Sequence, residues 1–383
     1  MATHAPSVNA IAERAAWRGL PASEVFVVVL GTAMGLVMAL VVTLPLDLGD
    51  GSGMILTTLT SMAIVFVLTP PLIRKMKEGG MVGFDVNKAL KIEVAELGGI
   101  AALFAFSISL SVVVGLQKLL GDVAEPPFLA AISVFFVAAM IGLIDDISNL
   151  KQRHKAIAVA FAALPLMLVH SGLPVIDLPF GYKIDLSGNL HLLYWLVLVP
   201  IAVTGVGNAM NMSAGYNGLE TGQVAIISLS LLAVGELRGV PDVSLLVFAA
   251  LLGSCAALYY FNRFPARIFV GDIGTLGLGA ALAAGVILAH VEFYGLVAIT
   301  PAFFEAVATA YFGLKGANGE RKRAYKNPII EANGTLRAPP KAEHFTLAFW
   351  ILSRRPMTEK GLVRVMLGLY ALSGAAAVAL SVL

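Results

Sequence analysis

Residues 128–146 spell FLAAISVFFVAAMIGLIDD. From Phe128 to Ile144 the stretch carries no charge, and two aspartates follow it at once. A helix that crosses a bilayer needs roughly 17–25 mostly apolar residues. The stretch therefore predicts a membrane-spanning helix with an acidic end.

The same pattern recurs along the whole chain of 383 residues, which is 58% hydrophobic and 13% charged. A soluble domain carries about 25% charged residues, so most of this surface is expected to face lipid. The sequence predicts an all-α polytopic membrane protein with about eleven transmembrane helices. These are residues 25–46, 54–73, 97–116, 128–144, 156–169, 192–206, 223–234, 243–261, 273–290, 296–314 and 362–383.

The positions of the basic residues fix the expected orientation, because Lys and Arg collect in cytoplasmic loops. With eleven spans, all but three of the 26 Lys and Arg residues lie on the side of the N-terminus; the exceptions are Lys118, Lys183 and Arg238. Spans five and seven are short, but omitting either one would move the downstream basic loops to the wrong side. The prediction is a cytoplasmic N-terminus and a C-terminus outside.

The chain divides into a cytoplasmic N-terminal segment, residues 1–24, and one transmembrane domain, residues 25–383. A long basic loop, residues 315–361, is expected in the cytoplasm; the apolar stretch at 344–352 is too short to span and predicts a helix at the membrane interface. The single cysteine, Cys255, excludes an intrachain disulfide and a thiolate metal site. The six histidines lack zinc-site spacing.

Asp145 and Asp146 open the first polar cluster, with Asn149 and Lys155 soon after them. Adjacent carboxylates repel each other and are costly beside lipid unless a cation compensates. Hard oxygen ligands suit Mg²⁺, above all a Mg²⁺ ion shared with substrate phosphates. The alternative is a solvated helix end whose acids pair with nearby basic residues.

Three more clusters lie on the same predicted face. The second cluster is NAMNMSAGYNGLE, residues 208–220, in which Asn208 and Asn211 share one helical face and two glycines permit a tight turn close to a ligand. The alternative is a polar helix cap with glycine turns. Asp272 stands at the start of an apolar helix, where it could be a helix cap, and Phe269 could stack on a base or anchor the interface.

The fourth cluster is the basic loop with Arg321, Lys322, Arg323 and Lys326. Arginine binds diphosphates well, although the same charges would serve orientation or contact with anionic lipid. Taken together, acids, amides, glycines and a basic loop on one face suit a nucleotide diphosphate from the cytosol, a lipid phosphate from the bilayer and a magnesium ion.

These segments resemble the polyprenyl-phosphate N-acetylhexosamine-1-phosphate transferases, in particular the branch that acts on dolichyl phosphate. The matching motifs, in the family's order, are DVNK with AELGG (85–99), DDISNLKQRHK (145–155), NAMNMSAGYNGLETGQ (208–223) and NRFPARIFVGD (262–272). Bacterial muramyl-pentapeptide enzymes resemble DGxDGL where this chain has AGYNGL, so Ala214 and Asn217 occupy the places of two aspartates.

The resemblance implies that GlcNAc-1-phosphate passes from UDP-GlcNAc to a polyprenyl (dolichyl) phosphate with release of UMP, the first lipid-linked step of N-glycan assembly. It implies ten core helices plus one N-terminal helix, Mg²⁺ or else Mn²⁺ as cofactor, membrane lipid as a further partner, and a homodimer. No nucleic-acid partner is expected.

The resemblance also assigns roles to individual residues. Asn211 and Asp272 would hold the metal. Asp145 and Asp146 would orient or deprotonate the lipid phosphate, and Lys155 would bind phosphate. The substrate-binding residues would be Glu96, Asn149, Asn208, Gly215, Asn217, Phe269, Arg321 and Arg323; of these, Gly215 and Phe269 would enclose the uracil and Asn217 would bond its edge.

The chain departs from the family at two places: Lys322 replaces a histidine between two arginines, and Phe84 replaces a glutamine. The alternatives are another UDP-N-acetylhexosamine or carrier lipid, and a transporter, which would place polar residues near the bilayer midplane. Glu305 is the main charge at that depth. The compact Ala-, Val- and Gly-rich chain favours an archaeal cell membrane over the endoplasmic reticulum, with the active site facing the cytoplasm.

Overall fold

The structure is a computed structural model that describes residues 51–90, 92–119, 127–148, 150–169, 174–315, 327–342 and 346–383. The predicted first span (25–46), Asn149, Arg321 and Arg323 lie outside these residues.

The described chain is mostly helical. Its helices are α1 (Ser52–Glu78), α2 (Gly99–Leu119), α3 (Pro127–Ser148), α4 (Gln152–Ala158), α5 (Leu164–Val169), α6 (Gly188–Met212), α7 (Leu219–Leu237), α8 (Asp242–Asn262), α9 (Gly271–Leu288), α10 (Glu292–Lys315), α11 (Leu347–Arg354) and α12 (Glu359–Ser381). Eight of them are long and apolar enough to cross a membrane, namely α1, α2, α3, α6, α7, α8, α9 and α12. Large apolar side chains such as Leu129 and Leu168 are exposed, as on a surface that faces lipid. Together with the eight long apolar helices, this identifies the chain as an integral membrane protein.

Each predicted span within the described residues corresponds to a helix. The fifth, expected at 156–169, is α4 and α5 joined by a 3-10 segment, Val159–Ala163. The sixth span, expected at 192–206, lies within α6, which contains a π-helical segment, Tyr194–Leu198. The short apolar stretch of the 315–361 loop forms α11, and the position of this helix relative to the bilayer stays a prediction.

The expectation of an all-α chain was too simple, because short strands form in the connections between helices. β1 (Val82–Phe84) pairs with β2 (Glu93–Ala95), and β3 (Val175–Asp177) pairs with β4 (Lys183–Asp185). A third sheet has the order β5-β6-β7 and consists of Ile329–Ile330, Thr335–Arg337 and Met357–Thr358. These pairings satisfy backbone N–H and C=O groups that no helix covers.

Helix α9 lies at the centre of the bundle, where every residue from Ile273 to Leu288 is buried. It packs against α3, α6 and α2. Small residues permit this depth: a Cβ on Gly279 would come within 2.8 Å of the Gly207 Cα, and a Cβ on Gly274 within 2.9 Å of the Gly99 Cα. Membrane helices approach closely at such small residues, so the glycine spacing of α9 sets the helix around which the others pack.

Gly142 of α3 lies against the first turn of α9. A Cβ there would come within 2.5 Å of the Ile273 backbone nitrogen and would overlap the Asp272 carbonyl group. This close approach fixes the end of α3 relative to the start of α9.

We predict that Gly142→Ala lowers the thermal unfolding temperature in detergent, because overpacking against backbone costs about 1–3 kcal/mol. Gly115→Ala is the matched control, since a Cβ on this helical glycine meets no atom within 4 Å. Equal unfolding temperatures for the two variants would contradict the contact.

Candidate active site

Four polar side chains converge at one end of the bundle from separate elements. Asp145 lies near the end of α3, Lys155 in α4, Asn211 near the end of α6, and Asp272 in the first turn of α9. The structure therefore brings together both predicted metal ligands and two of the three predicted catalytic residues.

Lys155 is the centre of this cluster. Its Nζ donates to Asp145 Oδ2 at 2.7 Å and to Asp272 Oδ2 at 2.5 Å, and the residue is only 5% exposed. A buried ammonium between two carboxylates offsets their mutual repulsion and the cost of removing them from water. Lys155 thus joins α3, α4 and α9 through charge.

Asn211 completes the cluster through its side-chain amide. With its nitrogen toward Asp272, it donates to Asp272 Oδ1 at 3.1 Å and its oxygen accepts from Lys155 Nζ at 3.1 Å. Asp145 Oδ1 also accepts from the Leu150 backbone N–H at 2.6 Å.

Asp146 is bonded differently from Asp145. Its two carboxylate oxygens accept from the backbone N–H groups of Asp272 and Ile273 at 2.9 and 3.0 Å. A carboxylate in this place caps α9 and is stabilised by the helix dipole. A Cβ on Gly271, whose φ is +73°, would come within 2.9 Å of Asp146 Oδ2, so glycine is required beside the cap.

The residues fit a magnesium ion that is shared with a substrate. Asp272 and Asn211 offer hard oxygen atoms, and turning the Asn211 amide brings its oxygen toward Asp272 Oδ1, as two ligands of one cation require. Within the described ranges, no three His, Cys, Asp or Glu side chains form a site that could hold a metal. A site with only two protein ligands, such as Asp272 and Asn211, suits Mg²⁺, which takes one or two protein ligands together with phosphate oxygens and water.

Glu96 and Phe269 lie next to this cluster, on two chain segments that run side by side. Ala95 and Ile268 form a parallel bridge, and the Phe269 N–H donates to the Ala95 carbonyl at 2.7 Å. A Cβ on Gly83 would meet both Glu96 and Phe269, so the two side chains border the same space. Burial, with the nearby charge of Asp146, raises the pKa of the Glu96 carboxyl above its usual value.

Gly215 and Asn217 belong to a second polar cluster. The Gly215 carbonyl accepts from Asn87 Nδ2 at 2.7 Å, and Asn217 Nδ2 donates to Asp85 Oδ2 at 2.9 Å. Asn262 connects this turn to the Phe269 segment, because it accepts from the Gly218 N–H at 3.1 Å and donates to the Ile268 carbonyl at 3.0 Å.

Asn208 lies beside the Lys155 helix but has structural partners. Its Nδ2 donates to the carbonyls of Ala156 and Thr204 at 3.2 and 2.8 Å, and the residue is buried. The bond to Ala156 holds α4 against α6, and the bond to Thr204 stays within α6. Substrate contact by Asn208 stays a prediction, like that by Asn149, Arg321 and Arg323 outside the described residues.

Sequence reasoning missed several residues of the second cluster. Asp85, Asn87 and Lys88 stand in the quoted DVNK motif, but nothing local shows that they meet the 214–218 turn. Glu359 also bonds this turn, from the first residue of α12. The only local signal for Glu359 is an acid at a helix start, which usually indicates a cap.

Glu305, the charge noted at membrane depth, also has a structural partner. Its Oε1 accepts from the Leu347 N–H at 2.8 Å, at the start of α11. The carboxylate therefore fastens α11 to α10, which weakens the case for a transport site.

The comparisons with known proteins agree with this arrangement. The family model described as glycosyl transferase family 4 matches residues 128–290, which include Asp145, Lys155, Asn211 and Asp272.

Relatives extend the similarity over more of the chain. A Saccharolobus solfataricus protein, provisionally named a UDP-N-acetylglucosamine–dolichyl-phosphate N-acetylglucosaminephosphotransferase, is 36% identical over 60% of this chain and 69% of its own length. A Methanocaldococcus jannaschii protein, provisionally named a glycosyltransferase, is 30% identical over 81% of this chain and 92% of its own. The phospho-N-acetylmuramoyl-pentapeptide-transferase of Gloeothece citriformis is 31% identical over 73% and 75%. With these matches covering both the polar cluster and most of the bundle, the chain belongs to glycosyl transferase family 4.

Proposed function

We propose that this protein transfers GlcNAc-1-phosphate from UDP-GlcNAc to a polyprenyl phosphate of the dolichyl type and releases UMP. The observation that most directly supports this function is the cluster of Asp145, Lys155, Asp272 and Asn211 at one end of an apolar bundle. There a soluble diphosphate and a lipid phosphate can both reach the same charged groups. The name of the Saccharolobus solfataricus relative supports this choice of substrates.

The sequence of the 214–218 turn favours this substrate over a muramyl-pentapeptide nucleotide. Ala214 and Asn217 stand where the bacterial enzymes carry aspartates, and Asn217 Nδ2 donates to Asp85 Oδ2. An aspartate at 217 would place two carboxylates against each other, which is unfavourable in a buried position.

We propose Mg²⁺ as the cofactor, with Mn²⁺ as the alternative, held by Asn211 and Asp272 together with the diphosphate. When bound, the ion would neutralise charge on the diphosphate and on the departing UMP. The other roles fall to side chains of the protein.

Asp146 would act by holding Asp272, since both its oxygens bond the start of α9. Asp145 would orient the lipid phosphate, and Lys155 would bind phosphate once it is drawn away from Asp272. The protein's contribution is then positioning and electrostatic stabilisation, the main terms in phosphoryl transfer.

In the proposed step an oxygen of the lipid phosphate attacks the β-phosphorus of UDP-GlcNAc. The bond from this phosphorus to the bridging oxygen breaks, and UMP leaves with that bond's electron pair. Gly215 and Phe269 would enclose the uracil, Asn217 would bond its edge, and Glu96 would help hold the nucleotide. Arg321 and Arg323 would grip the diphosphate and sugar.

We place this chemistry at the cytoplasmic face of an archaeal cell membrane. Support comes from the basic residues, because the predicted topology puts nearly all of them on the side of the cluster and Lys and Arg collect in cytoplasmic loops. A homodimer is proposed from the family alone.

The reaction is tested by UMP release from UDP-GlcNAc with dolichyl phosphate, with and without Mg²⁺. We expect release only with both the lipid phosphate and the metal, and slower release from UDP-GalNAc or UDP-MurNAc-pentapeptide. Flux of an intact nucleotide sugar across proteoliposomes without UMP would instead support a transporter.

Asp272→Asn should lower the rate of UMP release by about a hundred- to a thousandfold, as removal of a charge-stabilising group does. The unfolding temperature should stay close to that of the wild type, because the asparagine keeps a hydrogen-bonding side chain at the start of α9.

The matched control is Asp242→Asn. Asp242 also lies in the first turn of a helix, but at the opposite end of the bundle, where it accepts from the Gly51 N–H at 2.7 Å. Normal turnover by the Asp272 variant, or equal loss in both variants, would count against the metal assignment.

A further inference from the structure

Glu359 lies outside the cluster that would perform transfer, yet it contacts the proposed nucleotide site from the far end of the chain. Its side chain is 2% exposed. Its Oε1 accepts from the Asn217 backbone N–H at 2.8 Å and from Asn87 Nδ2 at 3.4 Å, while Oε2 pairs with Lys88. One buried carboxylate therefore bonds residues that are 142 and 272 positions away.

The neighbours of Glu359 bond the same turn. Asp85 accepts from Asn217 Nδ2 at 2.9 Å and pairs with Lys88 at 3.0 Å, and Asn87 Nδ2 donates to the Gly215 carbonyl at 2.7 Å. Lys88 also lies 4.2 Å from the ring centroid of Phe264. We call Asp85, Lys88 and Glu359 the charged clamp of the 214–218 turn.

The turn needs such support. Gly215 and Gly218 have φ values of +118° and +92°, in the region that glycine tolerates and other residues avoid. Glycine also gives the chain many alternative conformations, so bonds from outside must select one. The clamp bonds Asn217 at both its backbone N–H and its side chain, which fixes the middle of the turn.

Glu359 itself is held firmly. It follows β7, whose Met357 pairs with Leu336 of β6, and it begins α12, where Thr358 Oγ1 accepts from the Gly361 N–H at 3.3 Å. A carboxylate on so well fixed a backbone can impose its geometry on a turn that contains two glycines.

The clamp carries more buried charge than stability alone requires. Two carboxylates share one ammonium at side-chain exposures of 5%, 2% and 15%. Buried ion pairs are often no more stabilising than apolar residues of similar volume. A role in shaping the turn accounts for a costly arrangement at this place.

We propose that Glu359 is a positioning residue for nucleotide binding: it holds the 214–218 turn in the shape that receives the uridine nucleotide. The proposal rests on the function proposed above. Glu359 acts through Asn217 and takes no part in the transfer step.

The proposal is tested with Glu359→Ala, Glu359→Asp and Glu359→Gln, using UMP release at varied UDP-GlcNAc and varied dolichyl phosphate. Alanine removes the acceptor for the Asn217 N–H, and aspartate keeps the charge but withdraws it by one methylene. Both should raise KM for UDP-GlcNAc about tenfold while kcat and the KM for lipid phosphate change little, as loss of uniform binding predicts. Glutamine keeps the acceptor and should recover most of the affinity.

Glu292→Gln is the control, because Glu292 also begins a helix and bonds a side chain, Tyr194, at 2.8 Å at the opposite end of the bundle. It should leave both KM values unchanged. Parallel rises in both KM values, or equal KM values in wild type and Glu359→Ala, would overturn the proposal.

Hydrogen–deuterium exchange of the peptide that contains residues 214–218 tests the contact without substrate. We expect faster exchange at Asn217 in Glu359→Ala than in wild type or Glu292→Gln, and unchanged exchange would overturn the clamp. Wild-type protein that releases no UMP from UDP-GlcNAc would instead overturn the proposed function, so the two failures are distinguishable.

Discussion

The polar end of the bundle depends on the ion pairs that the Lys155 ammonium forms with two carboxylates. Asp145 and Asp272 come from helices that are far apart in sequence, and each contributes a carboxylate to a largely buried place. Without a cation between them these groups would repel each other and lose hydration. Lys155 holds the two charges together.

Close packing of small residues brings these charges within reach. Gly142 lets α3 touch the first turn of α9, and Gly271 leaves room for the Asp146 carboxylate that caps this helix. A methyl group at either place would displace Asp272 relative to Asp145. Close contacts at glycines therefore both bury α9 and set the spacing of the polar cluster, and in this sense fold and site share one cause.

Much of this could be predicted from the sequence, and the omissions have physical reasons. Apolar length predicted the long helices, and the charge distribution favoured the two short spans, the fifth and the seventh. The same distribution predicted that Asp145, Asn211 and Asp272 would share one face, and the structure brings these three together. Hydrophobicity could not reveal the small sheets, which depend on backbone pairing in polar connections. Nor could it separate Asp145 from Asp146, whose different partners are set by tertiary packing, or show that Glu359 meets Asn217, because that contact spans 142 residues.

The central claim is tested most directly by the rate of UMP release from Lys155→Met. Breaking a buried ion pair leaves uncompensated charge and costs about 3–5 kcal/mol, so we expect a lower unfolding temperature. We expect the rate to fall at least about a hundredfold as well, because the ammonium proposed to bind phosphate is lost. Lys151→Met, which changes an exposed lysine four residues earlier, should retain the wild-type rate. Wild-type turnover by Lys155→Met would contradict the account, because the two carboxylates would then need no cation from the protein.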